Sequence, residues 1–275
     1  MNIDADHKAW LMGVVWPDGV DTPDGLRYLA MARGEGAPKP YHYRWLLPWL
    51  LGEDRNKWRA VSLGSLVGMV PAMRWLTGKW APGMFVFTLD GVAGTARKYP
   101  VLTDAPAMLA AILAAAATRR RRWVAAGVLS LLAGTMKESA PAFAAAYSGH
   151  PLPLVGLLSP AVMATIEPGD DVPGEGFSHD CLTRPFWAAW WKRRGQAADW
   201  KLWVLPWGGL LAGLRGDLRT VSTVAAAHAQ CVAAVDTERL TQWAWPVLAE
   251  NTVDTMGEAW PVALVAGWFN PWRTP

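Results

Sequence analysis

The chain has 275 residues, of which 52% are hydrophobic and 18% charged, with a net charge of +3 and a positive mean hydropathy of +0.11. Cys181 and Cys231 are far apart in the sequence, which excludes a disulfide framework and a C-x-x-C metal or redox motif and leaves open only a single bridge between them. The small net charge argues against nucleic acid as a partner, while 19 tryptophans favour a membrane–water boundary, where an indole ring has one apolar and one wet side.

The polar start, Met1 to Lys8, precedes an apolar stretch from Ala9 to Trp16. That stretch is too short for a span and has no basic region before it, so no cleavable signal peptide is expected. From Asp18 to Pro48 runs the longest polar segment before the apolar runs begin. Thr22 predicts a helix cap, Pro23 the first helical position, and Arg33-Gly34 the end. Asp24, Arg27, Tyr28 and Met31 then share one helical face, putting a carboxylate, a guanidinium and a phenol side by side. Tyr41-His42-Tyr43-Arg44, running into Trp45-Leu46-Leu47-Pro48, is expected to lie at a membrane surface with its rings at headgroup level.

After a polar break from Gly52 to Arg59, Ala60 to Leu76 is apolar and carries Ser62, Gly64, Ser65 and Gly68, small residues that let helices approach closely in lipid. Trp80 to Ala96 is a second apolar run containing Asp90. Two readings of Asp90 stand: a functional carboxylate inside a span, or an exposed one where the span ends near Leu89. Leu102 to Thr118 predicts an alanine-rich helix capped by Thr103, with Asp104 in its first turn. Arg119 to Arg122 form a basic turn, expected on the cytoplasmic side. Further helices are expected over Trp123–Met136, Ser139–Tyr147 and Leu152–Ile166. A long acidic loop, Glu167 to Arg184, leads to an aromatic segment with the basic edge Lys192-Arg193-Arg194. Trp200–Leu214, Leu218–Val235, Trp243–Leu248 and Trp260–Phe269 are the remaining apolar runs.

These features predict an all-α protein: a polytopic transmembrane helical bundle with interfacial amphipathic helices, located in the cell membrane. Residues 1–58 form an external or interfacial segment and residues 59–275 the transmembrane domain. Several runs fall short of the about 20 residues a full span requires, so a tryptophan-rich soluble helical protein is the competing reading. If the arginine turn is cytoplasmic, alternating spans bring Asp24, Lys137-Glu138 and Asp236–Arg239 to the opposite face.

The order of motifs resembles the GT-C superfamily of polyprenyl-phosphate-sugar-dependent membrane glycosyltransferases. Asp24-Gly-Leu-Arg-Tyr28, followed by Pro40-Tyr-His-Tyr-Arg44-Trp-Leu-Leu-Pro48, is similar to that family's first external loop. Leu102-Thr-Asp104-Ala-Pro106 resembles its T-D-P helix entry. Leu131 to Glu138 resembles its L-T-K/R-E segment, and Asp236-Thr-Glu-Arg239-Leu240 with Trp245-Pro246 its D-x-x-R-L segment. The family normally has a transmembrane helix before this loop, and none is read here.

The resemblance implies inverting transfer of a sugar from a polyprenyl-phosphate-linked donor to an acceptor at the external membrane face. Asp24 would be the general base, with Asp21 in reserve. Arg44, Lys137, Arg239 and Arg27 would hold the donor phosphate. Tyr28, Glu138, Asp236 and Asp104 would support them. No residues are assigned as metal ligands, and the chemistry admits at most a divalent metal as cofactor. The partners implied are the lipid-linked sugar and membrane lipids, with no nucleic acid. Plainer roles remain open: Asp24 as a first-turn acid on the helix dipole, Asp236–Arg239 as a surface ion pair, and Lys137 and Arg44 as interfacial anchors. The alternatives from other classes are a non-catalytic polytopic membrane protein binding lipid or a partner, and a small transporter working through Asp90.

Overall fold

The computed structural model describes residues 21–37, 41–166, 205–233 and 241–270. Every regular element among them is helical. Helix α1 is Pro23–Ala32; a 3-10 turn at Tyr41–Tyr43 leads to α2, Leu46–Leu51, and α3, Arg55–Thr77. Thr22 accepts the backbone N–H of Gly25 at 3.1 Å, so the cap that begins α1 is the one expected. Gly34, just past the Arg33 C-cap, has φ +80°, the left-handed residue that ends a helix.

The run Trp80–Ala96 does not form the continuous helix expected of it. It breaks into α4 (Ala81–Met84), a 3-10 turn (Phe85–Thr88) and a π-helical turn (Asp90–Gly94), followed by α5 (Thr95–Lys98). Gly83 explains part of this, because a Cβ there would stand 2.8 Å from the Val70 backbone; the segment packs against α3 too closely for a side chain. Regular helix stops at Leu89, which is extended, and Asp90 opens the π turn half-buried.

Helix α6, Asp104–Arg119, is the axis of the molecule. Its alanines are buried on all sides, which lets α3, α7 (Trp123–Met136) and α8 (Ala140–Ser148) close around it. At 16 residues it is about 24 Å long by the 1.5 Å rise per residue. Beyond it lie a 3-10 segment, Leu152–Leu157, and α9, Leu158–Ile166. The kinked 3-10 segment Leu205–Gly213, α10 (Leu218–Ala233), α11 (Trp245–Met256) and α12 (Trp260–Trp268) complete the described fold.

Two polar poles sit at the ends of α6. At its N-terminus are Asp104 and the first-loop residues. At its C-terminus, Arg119 and Arg219 share the Glu250 carboxylate, at 3.0 and 2.5 Å. Both guanidiniums also donate to the Tyr147 carbonyl, and Arg119 donates to the Leu76 carbonyl. These arginines therefore satisfy carbonyls at the C-termini of α3 and α8, where a cation also meets the negative end of the helix dipole. Between the poles, apolar side chains face outward in helical stripes. On α7 the stripe is Val124, Val128, Leu131 and Leu132; on α9 it is Leu158, Val162 and Ile166. No helix among the described residues is long and apolar enough to cross a membrane.

Candidate functional site

The first-loop residues reach the N-terminal pole because α1 turns its Asp24–Arg27–Tyr28 face inward. All three side chains are buried. The Tyr28 ring stacks on Trp58, with centroids 6.1 Å apart, and meets Tyr41 edge-on at 5.8 Å. Trp58 itself is fully buried at the first turns of α3, so the aromatic stack fixes α1 against the bundle.

Asp24 accepts the Tyr41 hydroxyl at 2.6 Å, and an Arg27 Nη1 lies 3.8 Å from the same carboxylate oxygen. The guanidinium of Arg27 lies 4.6 Å, and that of Arg44 5.4 Å, from the centroid of the Tyr41 ring. Tyr41 was expected as a headgroup-level ring. It is instead buried, because its hydroxyl has a carboxylate to bond and its face has two cations to cover it. Burial, and then the Asp24 charge, push the Tyr41 phenol well above its usual pKa, so it stays protonated and able to donate.

Arg44 holds three groups together. Its Nε and Nη2 donate to the two oxygens of Glu138 at 2.8 and 2.7 Å, and its Nη1 donates to the Tyr28 hydroxyl at 2.8 Å. The Tyr28 hydroxyl also lies 3.3 Å from the Thr103 hydroxyl. Thr103 is the N-cap residue of α6 but makes no side-chain capping bond; its hydroxyl serves Tyr28 instead. Lys137, at the C-cap of α7, places Nζ 2.5 Å from Asp104 and 5.4 Å from the centroid of the Trp243 ring. Glu138 follows Lys137 and Asp104 follows Thr103, so the contacts close into a ring: Arg44, Glu138, Lys137, Asp104, Thr103, Tyr28 and back to Arg44.

The charges in this ring reinforce each other. Burial raises the Glu138 carboxyl, but the Arg44 guanidinium beside it more than offsets this and holds it below the usual carboxylate range. Burial works against the Arg44 charge, and Glu138 outweighs it, so the guanidinium is bound more firmly to its proton than usual. Under this ring a narrow cleft opens between α3, the π turn and α6. Ser62, Thr95, Asp104, Met108 and Trp243 line it, among other residues.

Of the residues singled out in the sequence, Asp24, Arg27, Tyr28, Arg44, Asp104, Lys137 and Glu138 thus meet at one pole. Asp21 turns elsewhere: its carboxylate pairs with Arg55 at 2.7 Å. Asp236 and Arg239 lie outside the described residues, as do the acidic loop after Glu167 and the basic edge at Lys192–Arg194. Sequence reasoning missed Trp58 and Trp243, and saw Thr103 only as a cap. The position of Trp243, just beyond the Asp236–Arg239 motif, was the available signal. Among the described residues, no group of three or more His, Cys, Asp or Glu comes together to hold a metal ion. No family model, curated protein or solved structure matches this chain.

Proposed function

We propose that this chain is a polytopic membrane protein of GT-C type that moves a sugar from a polyprenyl-phosphate donor to an acceptor hydroxyl at the external face of the membrane. The observation that carries the proposal is the meeting of Asp24, Arg44 and Lys137 at one pole, from segments distant in the sequence. It supplies a carboxylate and two buried cations within one aromatic-walled region. The outward apolar stripes on α7 and α9 support the membrane reading, since a helix facing water carries polar residues there.

In this mechanism Asp24 takes the proton of the acceptor hydroxyl. The acceptor oxygen attacks the anomeric carbon from the face opposite the phosphate, and the bond from that carbon to the phosphate oxygen breaks. The departing phosphate gains charge, which Arg44 and Lys137 stabilise. Tyr41 and Arg27 hold the Asp24 carboxylate ionised and oriented; Glu138 and Tyr28 orient the Arg44 fork.

The test is release of polyprenyl phosphate by the purified full chain in mixed micelles, offered a panel of polyprenyl-phosphate-linked hexoses and pentoses. Asp24→Asn should lower turnover about a hundredfold or more while leaving the melting temperature close to wild type. A chain that folds but releases phosphate from no donor in the panel, with donor and acceptor both supplied, sinks the transferase.

A non-catalytic reading has one observation in its favour. Arg44 and Lys137 already hold internal carboxylates, Glu138 and Asp104, as they would in a purely structural network. Binding of a polyprenyl phosphate without turnover would select it.

A further inference from the structure

The pole opposite the candidate site carries an uncommitted set of cations. Glu250 is taken by Arg119 and Arg219, and Asp254 by Lys79 at 2.6 Å. Arg74, Arg120, Arg121 and Arg122 are exposed, and none of them makes an ion pair with a described carboxylate. They are set among indole rings. The Arg74 guanidinium lies 4.4 Å from the centroid of the Trp80 ring, and those of Arg120 and Arg122 lie 5.6 and 5.8 Å from that of Trp75. Arg120 also donates to the Trp75 carbonyl. Trp80 and Trp123 are about half exposed, and Val124, one residue further on, is 83% exposed. The turn itself is held open by Arg121 at φ +57°, a left-handed conformation that an arginine adopts at some cost. A cost of this kind at an exposed turn is kept where the turn's shape has a use.

We infer that this rim, Arg74 and Arg120–Arg122 with Trp75, Trp80 and Trp123, is a binding face for the anionic phosphates of lipid headgroups. Guanidiniums match phosphate oxygens in pairs. Tryptophans sit at headgroup depth, where one edge is wet and the other apolar. The apolar stripe that starts at Val124 and continues through Val128 and Leu131 leads from the cations into the hydrocarbon. That continuity favours a lipid surface over nucleic acid, whose phosphates would give no return for exposed aliphatic side chains. The inference does not depend on sugar transfer, since none of these residues touches the Asp24–Arg44–Lys137 network.

The experiment is thermal unfolding of the purified full chain in neutral-detergent micelles, titrated with phosphatidylglycerol or with phosphatidylcholine at low and at high salt. Phosphatidylglycerol should raise the melting temperature of the wild type at low salt, and phosphatidylcholine should not. In R120Q/R121Q/R122Q the apparent affinity for phosphatidylglycerol should fall about fivefold for each guanidinium removed. Its melting temperature without added lipid should stay near wild type, because all three side chains are exposed. Arg44→Gln should keep the full phosphatidylglycerol response, which separates this face from the candidate donor site. An equal response in the wild type and the triple variant, or equal stabilisation by single-stranded DNA and by phosphatidylglycerol, overturns the inference.

Discussion

Arg44 and Glu138, 94 positions apart, meet fork to fork, with both carboxylate oxygens bonded by one guanidinium. This single contact ties the first loop to the end of α7. It lies beyond the end of that helix and retains partial access to water, since the Glu138 side chain is 34% exposed. Glu138→Gln keeps the shape but leaves a mostly buried guanidinium with a neutral partner. We expect a loss of about 1–2 kcal/mol, read by chemical unfolding.

The same pair sets a pH dependence with a definite sign. The Glu138 carboxyl titrates lower in the folded chain than in the unfolded one. Its contribution is therefore complete above the ordinary Glu pKa of about 4.3 and is lost as the pH falls through the lowered folded value. Melting temperatures measured from neutral pH downward should show the wild type losing its advantage over Glu138→Gln on the acid limb. Parallel curves for the two proteins would mean that the pair does not stabilise the fold.

Tyr28 links the arginine to the start of α6. Its phenol, raised above its usual pKa by burial, stays protonated at neutral pH and lies between Arg44 and Thr103. Tyr28→Phe should cost about 1–2 kcal/mol by leaving one or both partners unsatisfied. A double-mutant cycle with Thr103→Val should give a coupling of about 0.5–1 kcal/mol. A coupling near zero would mean that the 3.3 Å approach of the two hydroxyls carries no energy.

The helices over α6, α7 and α8 were legible because alanine runs, a threonine before an acid and a glycine or lysine after the last apolar residue are local signals. The convergence of Asp24, Arg44 and Lys137 was expected only through an ordering of spans, not from any local pattern. What escaped was set by contacts between distant segments. Trp80–Ala96 reads as one apolar run, yet Gly83 lets it press on the Val70 backbone, and the helix breaks. Tyr41 looks like an interfacial aromatic until the carboxylate of Asp24 is found under its hydroxyl. Thr103 looks like a cap, and the phenol it bonds instead comes from 75 residues away.

Helix α7 carries two glycines with opposite surroundings. A Cβ on Gly134 would run into the Gly156 carbonyl oxygen, whereas nothing lies within 4 Å of one on Gly127. Gly134→Ala forces α7 away from the Leu152–Leu157 segment and should cost about 1–3 kcal/mol. Gly127→Ala has only the helix propensity to gain and should stabilise by up to about 1 kcal/mol. Opposite signs in one thermal-unfolding series would establish that α7 meets that segment backbone to backbone. Equal effects would place the two elements further apart.

Glu250 stands to the second pole as Glu138 stands to the first. Its carboxylate separates two guanidiniums, Arg119 and Arg219, which also satisfy the Tyr147 carbonyl. Glu250→Gln leaves two partly buried cations facing a neutral amide, and it should cost about 1–3 kcal/mol. The buried alanine helix α6 separates the poles by about 24 Å, and the two networks share no residue. Their energies should therefore add: Glu138→Gln with Glu250→Gln should equal the sum of the single losses to within about 0.5 kcal/mol. A larger deviation would show that α6 transmits strain from one pole to the other. Lipid bound at the arginine rim would then be felt at Asp24, although no contact joins them.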